Sequence, residues 1–430
     1  MPDTIAAVAT GSGLSAIGII RISGPEAIES VSKLFSPMPD EDRKLAYGEL
    51  RTTEGGLLDL CLCMIAHAPD TVTGENYAEI QCHGSPVNIR TILGELFSLG
   101  VRQAGPGEFS KRAFINGKLT LSGAEAIVDL VEAETEEAAK NASAQLGGAI
   151  SRCTDGIYDG IVDICSHYHA VLDYPDEDIE PFEMADYEKS LQEYCSVLEK
   201  LLKTAGSGMM LKEGIPTAIV GLPNAGKSSL LNALLGYERA IVTSVPGTTR
   251  DTVEEKVKIG HAVLRLIDTA GIRESDDEVE RLGVERSRKA MESARLVINV
   301  IDGTTGEGPL DDSYLTVYNK CDLPGFRGGE INISAKTGEG IDTLREKIEE
   351  MFPLPDVPAG EILTNVRQVE AVRISLDYLK AALEAMRLGA TPDIVLTECE
   401  GALNAIGELD GRTIREDVTN RIFARFCVGK

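Results

Sequence analysis

The sequence contains no tryptophan, and its five histidines are scattered along 430 residues. Its nine cysteines are an odd number, and none has the Cys-x-x-Cys spacing of a zinc or dithiol site. Cys61 and Cys63 alternate with Leu60 and Leu62, a pattern typical of one strand face. We therefore expect reduced thiols and exclude both a disulfide framework and a structural zinc site.

Long apolar runs are also missing. No window reaches 18 consecutive apolar residues, and residues 1–5 have neither the basic stretch nor the apolar stretch of a signal peptide. We expect a cytoplasmic, soluble protein with no membrane partner.

Positive charge is scarce, because 42 lysines and arginines face 69 acidic residues and the formal net charge is -27. Such a field repels polyanions, so RNA would have to bind at a local basic patch or through a partner. Lys111, Arg112 and Lys118 are the best local patch, although ordinary surface basicity is the favoured interpretation of Lys111 and Arg112.

One motif stands out against these absences. Residues 221–228 read Gly-x-x-x-x-Gly-Lys-Ser, after an apolar run at 217–220 and before a helical pattern at 229–235. The glycines let backbone N–H groups turn toward one anion at the positive end of a helix. Lys227 would reach the outer phosphates, and the Ser228 hydroxyl would bind Mg²⁺. The pattern predicts a phosphate-binding loop.

Further polar clusters follow short apolar runs, where the carboxyl ends of parallel strands place their ligands. With the phosphate loop, they give the expected nucleotide site: Asn224, Ala225, Gly226, Lys227, Ser228, Ser229, Asp268, Thr269, Ala270, Gly271, Asn319, Lys320, Asp322, Ser334, Ala335 and Lys336. The Asp322 carboxylate can accept hydrogen bonds from both N1–H and the 2-amino group of guanine, whereas adenine would leave it unpaired. The expected ligand is GTP.

Ile272 occupies the place where many small GTPases carry a glutamine that orients the attacking water. An aliphatic side chain cannot do this. The acidic residues 274–280 could supply a carboxylate instead, and a purely solvated acidic loop is the competing interpretation.

The chain divides by its periodicity. Residues 1–118 alternate β-type and helical runs and predict an α+β domain, whereas 119–212 and 359–430 have helical spacing. The simplest organisation is a discontinuous all-α domain, with an α/β P-loop GTPase domain at 215–352 inserted into it and a proline-rich linker at 353–358. A GTPase flanked by two independent helical tails is the alternative.

Several long strings lie outside the GTPase motifs, at residues 18–24, 73–84, 106–121, 172–179 and 421–430. Together with those motifs they make the whole chain resemble the MnmE (TrmE) family of tRNA-modifying GTPases, which act on the wobble uridine. The chain departs from the family pattern between Gly303 and Leu315, where a longer connection with a helix would be expected.

The resemblance implies a multidomain protein with a folate-binding-like N-terminal domain that forms a homodimer, and a Ras-like GTPase domain. It also implies that the chain works on tRNA with the FAD-dependent partner MnmG (GidA). The product is an aminomethyl or carboxymethylaminomethyl group on C5 of the wobble uridine, with a tetrahydrofolate derivative as one-carbon donor. The implied folate residues are Arg21, Glu79, Lys118 and Lys430. Cys427 matches the family's suspected chemical residue, although a free cysteine near a terminus is more often inert.

The resemblance further implies GTP hydrolysis that is stimulated by K⁺. The matching K⁺ positions are Asn224, Thr243, Val245 and Thr248. Thr248 and Thr249 would also contact the nucleotide, and Thr249 would bind Mg²⁺ beside Ser228. Glu280 matches the catalytic glutamate that orients water. Pro246 is a departure from the family loop.

Two other functions stay open. One is a regulatory RNA-binding or ribosome-assembly GTPase, although the chain carries no appended basic RNA-binding domain. The other is a folate-dependent methyl-transfer enzyme with a vestigial GTPase, which the intact set of GTP-binding motifs disfavours.

Overall fold

A computed structural model describes residues 3–11, 13–173, 184–237, 255–267, 291–305, 308–413, 416–424 and 426–429. The chain forms two compact units, one made of residues 1–128 with 404–430 and the other of residues 129–403. The predicted domain boundaries remain predictions. None of the helices in the described ranges is both long and apolar enough to span a bilayer.

Alternating apolar and polar residues give strands in the described parts of both units. The strands are β1 Ile5–Val8, β2 Ile17–Ser23, β3 Phe35–Ser36, β4 Leu45–Arg51, β5 Leu57–Ala66, β6 Tyr77–His83, β7 Arg102–Gln103, β8 Ile215–Val220, β9 Glu255–Ile259, β10 Ala262–Leu266, β11 Leu296–Asp302, β12 Leu315–Asn319 and β13 Ile331–Asn332.

Helical spacing gives the remaining regular elements. The helices are α1 Ala27–Ser32, α2 Pro86–Ser98, α3 Glu108–Ile115, α4 Leu121–Glu132, α5 Glu136–Leu146, α6 Ala149–Asp173, α7 Met184–Glu213, α8 Lys227–Tyr237, α9 Ile341–Met351, α10 Val366–Arg387, α11 Pro392–Asp410 and α12 Glu416–Phe423.

The first unit is built on a seven-stranded sheet in the order β3-β4-β5-β6-β2-β1-β7. All neighbours are antiparallel except β1 and β7. One face packs on α1 and α2 and buries Cys61 and Cys63 among Ile20, Ile80 and Ile92. This confirms the predicted strand-face role of the two cysteines. Glu79 and Arg21, which point away from that core, are direct partners across β6 and β2.

The second unit contains long helices and a six-stranded sheet in the order β13-β12-β11-β8-β10-β9. Its neighbours are parallel except for the β9–β10 hairpin. Parallel strands buried on both faces need apolar runs, which β8 and β11 supply. The apolar runs predicted before the nucleotide motifs are therefore strands, and their carboxyl ends share one edge.

The connection from β11 to β12 is short. In its described residues, 303–305 and 308–314, it contains turns and no helix. Parallel strands usually need a longer crossover, but β11 and β12 still pair in register from Ile298 and Leu315 onward. The shortened segment thus leaves the strand that carries Asn319 in place.

Candidate active site

The predicted phosphate loop joins β8 to α8. A Cβ atom at Gly221 would lie 2.2 Å from the Val300 carbonyl oxygen, and one at Gly226, where φ is +99°, would lie 2.0 Å from Asn319 Nδ2. Only glycine therefore fits at these two positions. The loop can bring its backbone close to a ligand, and the first N–H groups of α8 are available to an anion.

The Lys227 ammonium group lies over this loop. Its Nζ donates hydrogen bonds to the carbonyl oxygens of Gly221 at 2.8 Å and Leu222 at 2.9 Å. Burial lowers the pKa of Lys227, because desolvation disfavours its charged form. A phosphate beside Nζ would offset this cost, which is the electrostatic condition expected of an anion-binding lysine.

Asn319 connects two of the predicted nucleotide loops. Its side chain is buried, its Nδ2 donates to the Ala225 carbonyl at 2.9 Å, and its Oδ1 accepts from the Ala335 amide at 3.0 Å. Ser334 is also buried, and its Oγ accepts from Thr337 N at 3.2 Å. The structure therefore brings the phosphate loop, residues 319–322 and residues 334–336 to one place.

The residues around Asn319 have distinct environments. Lys320 adopts φ +70° and pairs with the Asp302 carboxylate at the end of β11. Asp322 and Lys336 are exposed. Sequence reasoning missed Asp302. The signal available in the sequence was an aspartate at the end of the apolar run that forms β11.

Several predicted site residues cannot be placed. The following predicted residues lie outside the described ones: Thr243, Val245, Thr248, Thr249, Asp268, Thr269, Ala270, Gly271, Glu280 and Lys430. Of the expected metal ligands, Ser228 and Asn224 are described: Ser228 follows Lys227 in the first turn of α8, and Asn224 has φ +65°. Among the described residues, no group of three or more His, Cys, Asp or Glu side chains could hold a metal ion.

Three of the residues predicted to contact a folate, Arg21, Glu79 and Lys118, are described in the first unit. Arg21 Nε donates to Glu79 Oε1 at 3.1 Å, and the Tyr77 hydroxyl donates to the same oxygen at 2.7 Å. Lys118 lies 3.7 Å from the Asp70 carboxylate instead of pairing with Glu79. The structure thus joins Arg21 and Glu79 directly and adds Tyr77, which sequence reasoning missed.

The C-terminal segment docks on this unit. Phe423 and Phe426 pack with Leu121, Val428 forms an antiparallel bridge with Pro106, and the Cys427 carbonyl accepts from Gly107 N at 3.2 Å. The Gly429 carbonyl lies 3.5 Å from Arg21 Nη1. Cys427 is an exposed free thiol two residues before Gly429.

Both interpretations of Arg112, as an ordinary surface residue and as part of a basic patch, are wrong. Only 1% of this residue is exposed, and its guanidinium binds Asp3 at 2.9 Å, Glu75 at 3.0 Å and Glu108 at 3.0 Å. A buried cation persists when carboxylates surround it. Asp3 and Glu75 come from distant parts of the sequence, whereas Glu108 lies one turn earlier on α3. Arg112 is therefore unavailable to RNA. Lys111 is exposed and donates to Asn420 Oδ1 at 2.7 Å.

Comparison with known proteins now adds to this geometry. Residues 4–118 match the family described as GTP-binding protein TrmE N-terminus, and residues 121–427 match the MnmE helical domain. The chain belongs to the MnmE family. Membership confirms the resemblance drawn from the sequence, the multidomain organisation with an N-terminal and a helical domain, and the expected enzyme class of a GTPase in tRNA modification.

Similar proteins named tRNA modification GTPase MnmE span the whole chain. The MnmE of Chloroflexus aurantiacus is 39% identical over 100% of both chains. The MnmE of Akkermansia muciniphila is 40% identical over 99% of both, and that of Clostridioides difficile is 38% identical over 100% of this chain and 99% of its own.

Proposed function

We propose that this chain binds and hydrolyses GTP and, with the FAD-dependent partner MnmG, modifies C5 of the wobble uridine in tRNA. Its relatives are named for tRNA modification and GTP hydrolysis. The observation that carries the nucleotide part is the Asn319 side chain, which links the phosphate loop to residues 334–336. This link supports Asp322, which is exposed three residues after Asn319, as the proposed guanine-binding residue.

The loop residues fit a triphosphate with its metal. Gly226 lets the loop backbone approach the Asn319 side chain, which a Cβ would meet at 2.0 Å, and Ser228 contributes a hydroxyl from the first turn of α8. Ser228 and Thr249 would hold Mg²⁺, which when bound neutralises charge on the β- and γ-phosphates. The remaining predicted nucleotide contacts would lie near the terminal phosphate; they are Asp268, Thr269, Ala270 and Gly271.

We also propose K⁺ stimulation and a water-orienting carboxylate. Asn224, Thr243, Val245 and Thr248 would supply oxygen ligands to the cation, and Thr248 would contact the nucleotide. Left-handed backbone at Asn224 is supported by its short polar side chain, which tolerates this conformation. Glu280 would orient the hydrolytic water, since Ile272 cannot.

For the one-carbon donor, we propose a tetrahydrofolate derivative at Arg21, Glu79, Lys118 and Lys430. A carboxylate suits the N–H groups of the pterin ring of a folate, and a cation away from Glu79 suits its glutamate tail. Support comes from the direct Arg21–Glu79 pair and from residues 426–429, which dock beside Arg21. Cys427 is a candidate for the chemistry because its thiol is exposed on that docked segment.

The proposed assembly is a homodimer formed through the N-terminal domain. The net charge of -27 repels tRNA at long range, so the partner would have to contribute to tRNA binding. A regulatory or ribosome-assembly GTPase is the alternative function.

Mass spectrometry of tRNA nucleosides from cells lacking the protein separates the two. We expect the wobble modification to disappear and to return on expression of the wild-type chain, but not of Asp322→Asn. Unchanged nucleosides together with accumulated ribosomal subunit precursors would support the alternative instead.

A further inference from the structure

Two donors converge on one oxygen of Glu79. Arg21 Nε lies 3.1 Å from Oε1, and the Tyr77 hydroxyl lies 2.7 Å from it. The backbone explains the convergence, because Arg21 is the cross-strand partner of Glu79 and Tyr77 is two residues earlier on the same face of β6. The side chain of Glu79 is thus held from two directions.

Tyr77 acts only as a donor in this arrangement. It is 2% exposed and packs with Ile5, Ala7 and Phe109. Burial raises the pKa of Tyr77 well above its usual value, because the phenolate would be desolvated. Its hydroxyl therefore stays protonated at neutral pH and can donate the hydrogen bond to Glu79 Oε1.

The second carboxylate oxygen of Glu79, Oε2, is open to a ligand. Within the described part of the chain, no side chain or backbone group donates to Oε2, and the Glu79 side chain keeps 14% exposure. A carboxylate has about four acceptor sites, so an oxygen without a protein donor can accept from a ligand N–H. The Oε1 contacts fix the direction in which Oε2 faces.

We infer that Tyr77 is a positioning residue of the one-carbon donor site. It acts with Arg21 to hold Glu79 so that Oε2 accepts N–H donors from a planar heterocyclic ring such as a reduced pterin. This inference rests on the proposed folate site. A buried tyrosine hydroxyl needs a hydrogen-bond partner, and Tyr77 finds it in Glu79, the carboxylate of the proposed folate site.

Calorimetric titration of the full chain with 5-formyltetrahydrofolate tests the inference. The proteins compared are wild type, Tyr77→Phe, Glu79→Gln, the double variant and Tyr47→Phe. Tyr47 is a matched control because it is a 65% exposed tyrosine on β4 of the same sheet. Removing one hydrogen bond to a charged acceptor should weaken binding by Tyr77→Phe about tenfold, while Tyr47→Phe binds like wild type.

The double variant distinguishes positioning from packing. If Tyr77 acts through Glu79, Tyr77→Phe should add less than about twofold once Glu79 is glutamine. The same tenfold loss in both backgrounds, or full affinity in Tyr77→Phe, would overturn the inference. Absence of binding in the wild type would instead overturn the folate site itself. Matching thermal unfolding of Tyr77→Phe and Tyr47→Phe verifies that loss of affinity is not loss of fold.

Discussion

Asn319 Nδ2 lies 2.9 Å from the carbonyl oxygen of Ala225, so a side chain at the end of β12 holds the backbone of the phosphate loop. Its other side-chain atom, Oδ1, accepts from Ala335 N at 3.0 Å. One buried amide therefore sets the spacing between the phosphate side and the proposed base side of the nucleotide.

Replacing this amide should damage both fold and binding. Asn319→Ala leaves one buried carbonyl and one amide unpaired, which should cost about 1–3 kcal/mol of stability and weaken GTP binding at least about tenfold. Fluorescent GTP titration and hydrogen exchange of the two loops measure these effects. Asn332→Ala is the matched control, because Asn332 makes its hydrogen bonds to Gly329 in its own loop. Equal GTP affinity in both variants would contradict the role of Asn319.

Asp322 should determine base selectivity. In Asp322→Asn the amide can no longer accept both guanine N–H groups, so GTP affinity should fall about 100-fold and the preference over ATP should narrow. Competition of ATP and xanthosine triphosphate against labelled GTP measures it. Asp312→Asn, an exposed aspartate of the same part of the chain, serves as control. Equal competition by ATP in the wild type would refute guanine recognition.

Hydrolysis should depend on the cation and on Glu280. We expect faster turnover in K⁺ than in Na⁺ at equal ionic strength, because only a cation of the right size fills the proposed oxygen cage. Glu280→Ala should lower kcat by roughly 10² or more and spare GTP binding, since a water-orienting group acts in the transition state. Equal rates in the two salts would count against the cage, and normal turnover by Glu280→Ala would leave residues 274–280 as a solvated loop.

The C-terminal segment should matter for folate and not for GTP. Removing residues 428–430 deletes the bridge to Pro106 and the Gly429 carbonyl near Arg21, so 5-formyltetrahydrofolate should bind at least about tenfold more weakly. GTP hydrolysis should stay nearly intact because the nucleotide loops belong to the other compact unit. Unchanged folate affinity in the truncated chain would remove the basis for Lys430 as a ligand.

Arg112 should be essential to the stability of the first unit. Arg112→Met removes the central cation and leaves buried carboxylates without it, which should cost about 3–5 kcal/mol. Arg51→Met is the control, since Arg51 is half-exposed, pairs with Glu49 and should change stability by less than about 1 kcal/mol. Hydrogen exchange of peptides from β1, β6 and α3 gives the readout. Equal protection in the two variants would mean that the ion network adds no stability.

The same ion network predicts that the first unit loses stability at acidic pH. Burial alone would raise the pKa of Glu108, but hydrogen bonds from Arg102, Gly105 N and Arg112 outweigh it and hold this pKa at about 2, below the usual 4.5. A carboxyl group whose pKa is lower in the folded state than in the unfolded state stabilises the fold at pH values above its unfolded pKa. Exchange protection of α3 should therefore be full above about pH 4.5 and decline as the pH falls toward 2. A flat profile over that window would contradict the assignment.

Sequence patterns predicted the local parts of the site well. The phosphate loop between β8 and α8 follows from glycine spacing and apolar runs, which act over a few residues. Arg112 could not be predicted, because its burial depends also on Asp3 and Glu75, which only the folded unit brings to it; Glu108 alone is a neighbour in the sequence, one turn earlier on α3. Tyr77 was missed for a similar reason, since alternation alone does not show which oxygen a hydroxyl reaches.

The bond between Arg21 and Gly429 joins residues 408 positions apart. During synthesis on a ribosome, the N-terminal sheet emerges first. The C-terminal segment that contacts Arg21 emerges only after nearly the whole polypeptide has been made. A nascent chain stalled in the GTPase segment would contain β2 and β6 but lack residues 426–429. Closing a loop of this length has a large entropic cost and is therefore slow. Premature termination late in translation would thus yield chains in which the C-terminal segment never reaches Arg21.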